Sequence, residues 1–143
     1  MARRDPYRNF NFRVEIDGSD TARFSEVEIG ASVVEVVDYR EGSDPTAVRK
    51  LPGLRKYGNV TLKRGVTLDM DLFKWFKATA NGESGFRRNV TIVIRGEDGS
   101  DQARFVVQEA WPTKFLVGAL HAKGNEVIIE TLELANEGIE RVT

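Results

Sequence analysis

The side chains able to do chemistry are few and poorly grouped. His121 is the single histidine, within Gly118-Ala119-Leu120-His121-Ala122-Lys123-Gly124, and cysteine is absent. A general base or metal site at histidine needs partners, and neither a second imidazole nor a thiolate exists to supply one. His121 therefore reads as a loop residue. Asp69 and Asp71 flank Met70, and carboxylates so spaced can bind a hard cation or share acid–base work. Placed ahead of apolar residues at helical spacing, they fit a helix start better, where a side chain caps and negative charge complements the dipole. Asp98-Gly99-Ser100-Asp101 lacks the ligand count and distal Glu of a calcium loop and reads as a hairpin turn. Glycine-rich phosphate loops, nucleophile elbows and zinc-protease motifs are missing. The sequence predicts no catalytic residue, no metal and no cofactor, so the protein is not expected to be an enzyme.

One stretch has the chemistry of a contact surface. Arg49-Lys50-Leu51-Pro52-Gly53-Leu54-Arg55-Lys56 holds four basic residues, with Tyr57 just beyond. Basic residues beside an aromatic can bind single-stranded nucleic acid. They can also form a solvated loop, or dock on an acidic surface of another copy. The C-terminal segment offers such a surface in Glu126, Glu130, Glu133, Glu137 and Glu140. Contact between two unlike patches of identical chains is heterologous and yields rings or open filaments. Residue pattern alone leaves the three readings open. The overall charge argues against a general nucleic-acid binder: 21 Lys and Arg against 22 Asp and Glu give a net charge of −1.

The elements that must carry these residues are mostly strands. The 143 residues suit one domain, spanning 1–143, with an ordinary hydrophobic share of 41%. Phe10, Phe12, Val14 and Ile16 alternate with polar residues, predicting a half-buried strand closed by Asp17-Gly18. Thr21–Val27 reads as its return. Val33–Arg40 is rich in β-branched residues, and Asn59–Arg64 alternates again. Pro52-Gly53 normally marks a turn, so residues 41–57 read as a long loop or hairpin between these two strands. Leu72, Phe73, Trp75, Phe76 and Thr79 predict one helix, started by Asp69 and closed by Asn81-Gly82. Strands follow at Asn89–Arg95, Ala103–Glu109 and Asn125–Leu134, with Trp111-Pro112 as an interruption before Lys114–Val117. Without helical crossovers the strands pair antiparallel, giving a mainly β fold: a barrel or sandwich with one packed α-helix. No apolar stretch approaches a membrane span, and Arg3-Arg4 is followed by no apolar leader, so assembly in the cytoplasm is expected.

The wording of several segments resembles a known family. Asp5-Pro6-Tyr7-Arg8-Asn9-Phe10-Asn11-Phe12, Phe24-Ser25-Glu26-Val27 and Val37-Asp38-Tyr39-Arg40-Glu41-Gly42 occur in the expected order. Arg49–Leu54 and Tyr57-Gly58-Asn59-Val60-Thr61-Leu62-Lys63-Arg64-Gly65 follow, then Trp75, Arg87-Arg88 and Trp111-Pro112. Together they are similar to the tail tube proteins of contractile phage tails and extracellular contractile injection systems. The type VI secretion tube protein shares that fold. The resemblance implies hexameric rings stacked into a hollow inner tube within a contractile sheath. Its partners would be other copies, the sheath, baseplate and tail-terminator proteins, and cargo or DNA in the lumen. The product would be a virion tail or a released particle. No catalytic residue is implied.

Three expectations about surfaces follow. Arg49, Lys50, Leu51, Leu54, Arg55, Lys56 and Tyr57 should control ring stacking. On the helix, Trp75 and Phe76 should pack inward and Phe73 should lie near a neighbouring subunit. Strands should pair edge to edge between subunits, with a polar face such as that of Arg13 or Glu35 toward the channel. The alternatives are a tube-initiating or baseplate-proximal relative, a monomeric ligand-binding β-barrel, and a small hydrolase using carboxylates.

Overall fold

The computed structural model describes residues 12–20, 24–40, 42, 47–124 and 127–143. The segment 1–11, with Phe10, lies outside them, as do 21–23, 41, 43–46 and 125–126.

Alternation and turn chemistry set the first elements. β1 (Phe12–Ile16) buries Val14 and Ile16. Asp17 and Gly18 both adopt positive φ, 52° and 79°, as a tight two-residue hairpin turn requires. The return, β2 (Ser19–Asp20), is only two residues long. The expected returning strand at Thr21–Val27 is corrected in part: β3 (Glu26–Glu28) pairs with β6 (Val60–Gly65) and not with β1. β1 instead lies against β7 (Arg88–Arg95), with Val14 opposite Ile92.

The organising element is β8 (Asp101–Val117), 17 residues long. Its first half pairs with β7 and its second half with β9 (Ile129–Ala135). β10 (Gly138–Arg141), not foreseen in the sequence, continues along the same edge of β8 as β9. Between the halves Glu109 takes φ 51°, and the register with β7 shifts. The Asn89 side chain accepts the Glu109 N–H at 3.1 Å, satisfying the backbone at the bulge. Trp111-Pro112 does not interrupt the strand. The ladder with β7 ends at Ala110, so Pro112 falls where β8 has a pairing partner on one side only and its missing N–H costs no second ladder bond.

The strand order is β2-β1-β7-β8-β9-β6-β3, all antiparallel, with β10 beside β8. The bend in β8 folds this sheet over a core of Val14, Ile92, Val107, Leu62, Leu132 and Leu134. Helix α1 (Asp71–Ala80) closes the core with Leu72 and Trp75. The fold is thus mainly antiparallel β with one packed helix, as the strand pattern implied. Two further strands, β4 (Ser32–Tyr39) and β5 (Arg49–Tyr57), form a separate two-stranded ribbon.

Candidate assembly surfaces

The ribbon carries the predicted stacking residues, in a form that differs from the expected loop. Arg49–Tyr57 is a continuous strand through Pro52-Gly53, paired from Tyr39↔Arg49 to Ser32↔Tyr57 with a bulge near Glu35. The chain runs from β3 into β4 and back from β5 into β6, so ribbon and sheet are two lengths of one hairpin. They meet where Gly30 touches Gly58: a Cβ at Gly30 would stand 2.5 Å from the Asn59 carbonyl oxygen. The Gly58 N–H donates to the Ala31 carbonyl at 2.7 Å, and Asn136 Nδ2 donates to the Gly58 carbonyl at 3.0 Å.

Past this joint both ribbon faces meet solvent. Val34, Val36 and Val37 of β4 are exposed, as are Leu51 and Leu54 of β5, Leu54 at 71%. Arg49, Lys50, Arg55 and Lys56 interleave with them, and Tyr57 is half-buried at the base. Arg55 and Tyr57 line a cleft with Gln108, Glu137 and Glu140. Lys56 is salt-bridged to Glu35 within the ribbon. The exposed valines of β4 were not among the residues singled out in the sequence. Their signal was present: a β-branched run without period-two alternation, which a strand with one buried face would show.

Burial takes Glu130 out of the expected acidic C-terminal surface. Glu126 lies outside the described residues. Glu130 is buried and accepts from Arg64 Nε at 2.5 Å. Glu133 Oε1 accepts from Asn59 Nδ2 at 2.8 Å. Glu137 and Glu140 remain exposed, beside the ribbon base of the same chain.

On the helix, Trp75 is buried; its indole donates to the Phe86 carbonyl at 2.6 Å, and the Arg88 guanidinium sits 5.2 Å from its ring. Phe76 packs against the core. Phe73 is 40% exposed, with its ring edge-on to Phe115 at 5.5 Å. Asp69 is not the cap that the sequence suggested: Met70 holds that position, and Asp69, one residue further back, accepts the Asp71 N–H at 3.0 Å, one of the donors a helix start leaves free. That bond, ahead of the Arg64 charge, holds the Asp69 carboxyl below its usual range. Asp98 accepts from the Ser100 hydroxyl and N–H inside the β7–β8 turn, as expected of a hairpin.

The outward face of β1, β7 and β8 is polar and internally paired. Arg13 Nη2 lies 3.1 Å from both Glu15 and Asp101 carboxylates, and Arg104 reaches Asp101 at 3.4 Å. Glu35, the other residue expected on a channel face, is on the ribbon instead.

Residues 8–140 match the family described as T4-like virus tail tube protein gp19. The chain belongs to the tail tube family. No curated protein matches it. Several solved structures share the fold of this tail tube protein. One is the anti-feeding prophage tube terminating cap, with a TM-score of 0.88 at 22% identity over 100% of this chain and 95% of that one. A second is the sheath–tube complex of the PVC extracellular contractile injection system in its extended state, at 0.84 and 21%, covering 95% and 90%. A third, more distant, is Hcp1 from Flavobacterium johnsoniae, at 0.55 and 17%, covering 93% and 95%. A tube subunit works through its surfaces, so the ribbon, the helix face and the sheet edges are the candidates for contact with other copies.

Proposed function

We propose that this tail tube protein forms hexameric rings that stack into the hollow inner tube of a contractile, phage-tail-like injection particle, and that it is not an enzyme. The observation carrying this reading is the ribbon: two strands with apolar residues exposed on both faces, held out from the barrel by one joint. Exposed aliphatic surface of this extent marks a contact site. Each Å² it buries contributes roughly 25 cal/mol. Arg49, Lys50, Leu51, Leu54, Arg55, Lys56 and Tyr57 then serve ring stacking, and Phe73 a contact with the neighbouring subunit.

Within a ring, the β1–β7–β8–β10 layer supplies the channel wall. Among the described residues β10 pairs on one long edge only, and β1 carries just the two-residue β2 on its outer edge, which leaves donors and acceptors for the next subunit. Arg13, Glu15, Asp101 and Arg104 would face the lumen, a polar lining with charges largely paired. The sheath surrounds the tube, baseplate and terminator proteins hold its ends, and cargo or DNA passes without sequence-specific contact. Assembly takes place in the bacterial cytoplasm, before the particle is part of a virion tail or released.

Size-exclusion chromatography with negative-stain imaging of the purified protein tests this. Six-fold rings or tubes support it; a stable monomer near 16.1 kDa at high concentration overturns it.

A further inference from the structure

The two poles of the β3–β6–β9 layer are unlike. At one, the hairpin passes Gly30 and Gly58 into the ribbon. At the other, about 20 Å away along the six residues of β6, the layer ends at the β8–β9 turn. There Val66 N–H donates to the Ile128 carbonyl at 2.8 Å and Gly118 N–H to the Ile129 carbonyl at 2.9 Å, which ties three segments together. Among the described residues this end of the molecule exposes several apolar side chains. Leu68 is fully exposed, Leu120 69% and Val127 72%, with Val117 and Ile128 beside them. Residues 118–122, 124 and 127–129 line an open groove of ≈ 770 Å³.

We infer that this groove pole is the socket that receives the β4–β5 ribbon of a copy in the adjacent ring. The inference rests on reading the ribbon as the stacking element and adds what it stacks into. Geometry selects the occupant. Ribbon and groove lie at opposite ends of the same strands, so their contact is heterologous, and each ring added presents a fresh groove or a fresh ribbon. A ribbon-to-ribbon contact is isologous and stops at two rings. The chemistry matches as well: valines and leucines of the ribbon meet leucine, valine and isoleucine at the groove. Asp69 adds an exposed carboxylate beside Val66 and Leu68, toward a ribbon that carries Lys50 and Arg55.

Two variants separate the poles. Leu120→Asp with Val127→Asp removes the socket, and Leu51→Ser, Leu54→Ser with Arg55→Glu removes the ribbon contact. All five positions are exposed, and a urea midpoint within error of wild type confirms an intact fold. Each variant alone is expected to give single rings in place of tubes. Mixed, they are expected to give stacks of two rings and none longer, because one sound groove then meets one sound ribbon. Full-length tubes from the socket variant, or a mixture that stays as single rings, overturn the inference while leaving the tube reading in place. Wild-type protein that forms no rings overturns the tube reading itself, and the socket with it.

A second measurement does not depend on the charged variants folding. The chain has no cysteine, so Leu54→Cys with Leu120→Cys provides the only two thiols. A flexible bismaleimide applied to assembled tubes is expected to give a denaturing-gel ladder running past six chains. No ladder, or one ending at six, overturns the socket.

Discussion

Arg64 and Glu130, opposite one another on β6 and β9, form a buried ion pair in which Arg64 Nε donates to Glu130 Oε1 at 2.5 Å. Arg64 Nη2 also donates to Asp71 Oδ1 at 2.6 Å, and the Phe24 ring lies 5.8 Å from the guanidinium. One side chain thus pins the helix start to the sheet. Burial opposes the charge, yet the Glu130 and Asp71 bonds outweigh it and raise the Arg64 pKa.

Breaking one side of this cluster is expected to be costly. Glu130→Leu leaves a buried, partly unpaired cation and should lower the unfolding free energy by about 3–5 kcal/mol. Arg64→Met combined with Glu130→Leu should recover most of that, since a well-packed apolar pair replaces the ions. Urea titration of the single and double variants decides it; a double variant as unstable as the single refutes the ion-pair account.

Trp75 and Phe73 should separate stability from assembly. Trp75→Ala removes a buried ring and its bond to Phe86, and should cost about 3–5 kcal/mol. Phe73→Ser gives up the edge contact with Phe115 and the burial of a half-exposed ring, about 1–2 kcal/mol, but should weaken ring formation. Unchanged ring assembly with unchanged stability would count against an interface role for Phe73.

The ribbon should show the reverse of a core. Leu51→Ser, Leu54→Ser and Arg55→Glu together should leave the melting temperature within a few degrees, because these side chains make little contact with the barrel. Stacked tubes should nonetheless disappear in electron micrographs. Long tubes from the triple variant would remove the ribbon from the stacking account.

Gly30→Ala tests the joint. Its Cβ would meet backbone atoms of Gly58 and Asn59 at 2.5 Å, and backbone cannot move aside cheaply. A loss of about 1–3 kcal/mol is expected from this overpacking. Tube formation should fall too, because the ribbon leaves at a different angle with every contact residue retained. Gly42→Ala, with open space around it, is the control and should change neither.

What could be read in the sequence follows from where one face of an element is buried. β1, β6 and β7 were legible because Val14 and Ile16, Val60 and Leu62, and Val90 and Ile92 alternate with less buried residues, although Val93 is buried as well. The helix was legible from Leu72, Trp75 and Phe76. β5 was not, since neither ribbon face is covered and its strand state comes from pairing with β4. Pro52-Gly53, a turn signal in isolation, is overridden by that ladder. β10 is too short to show a period. Glu130 looked like surface charge because nothing local reveals Arg64, 66 positions away in sequence. The groove pole was illegible for the same reason: Val66 and Ile128 are brought together only by the β6–β9 register.

The direction of the strands also has a mechanical side. β6 and β9 run between the ribbon pole and the groove pole, and their hydrogen bonds lie across that line. A thrust delivered at one pole and passed out at the other therefore loads the ladder in shear, where several bonds must yield together. A pull across the strands would unzip the same bonds one at a time. In the stacking inferred above, that shear direction coincides with the line from ribbon to groove, so a driven column of copies would load each ladder in its more resistant direction.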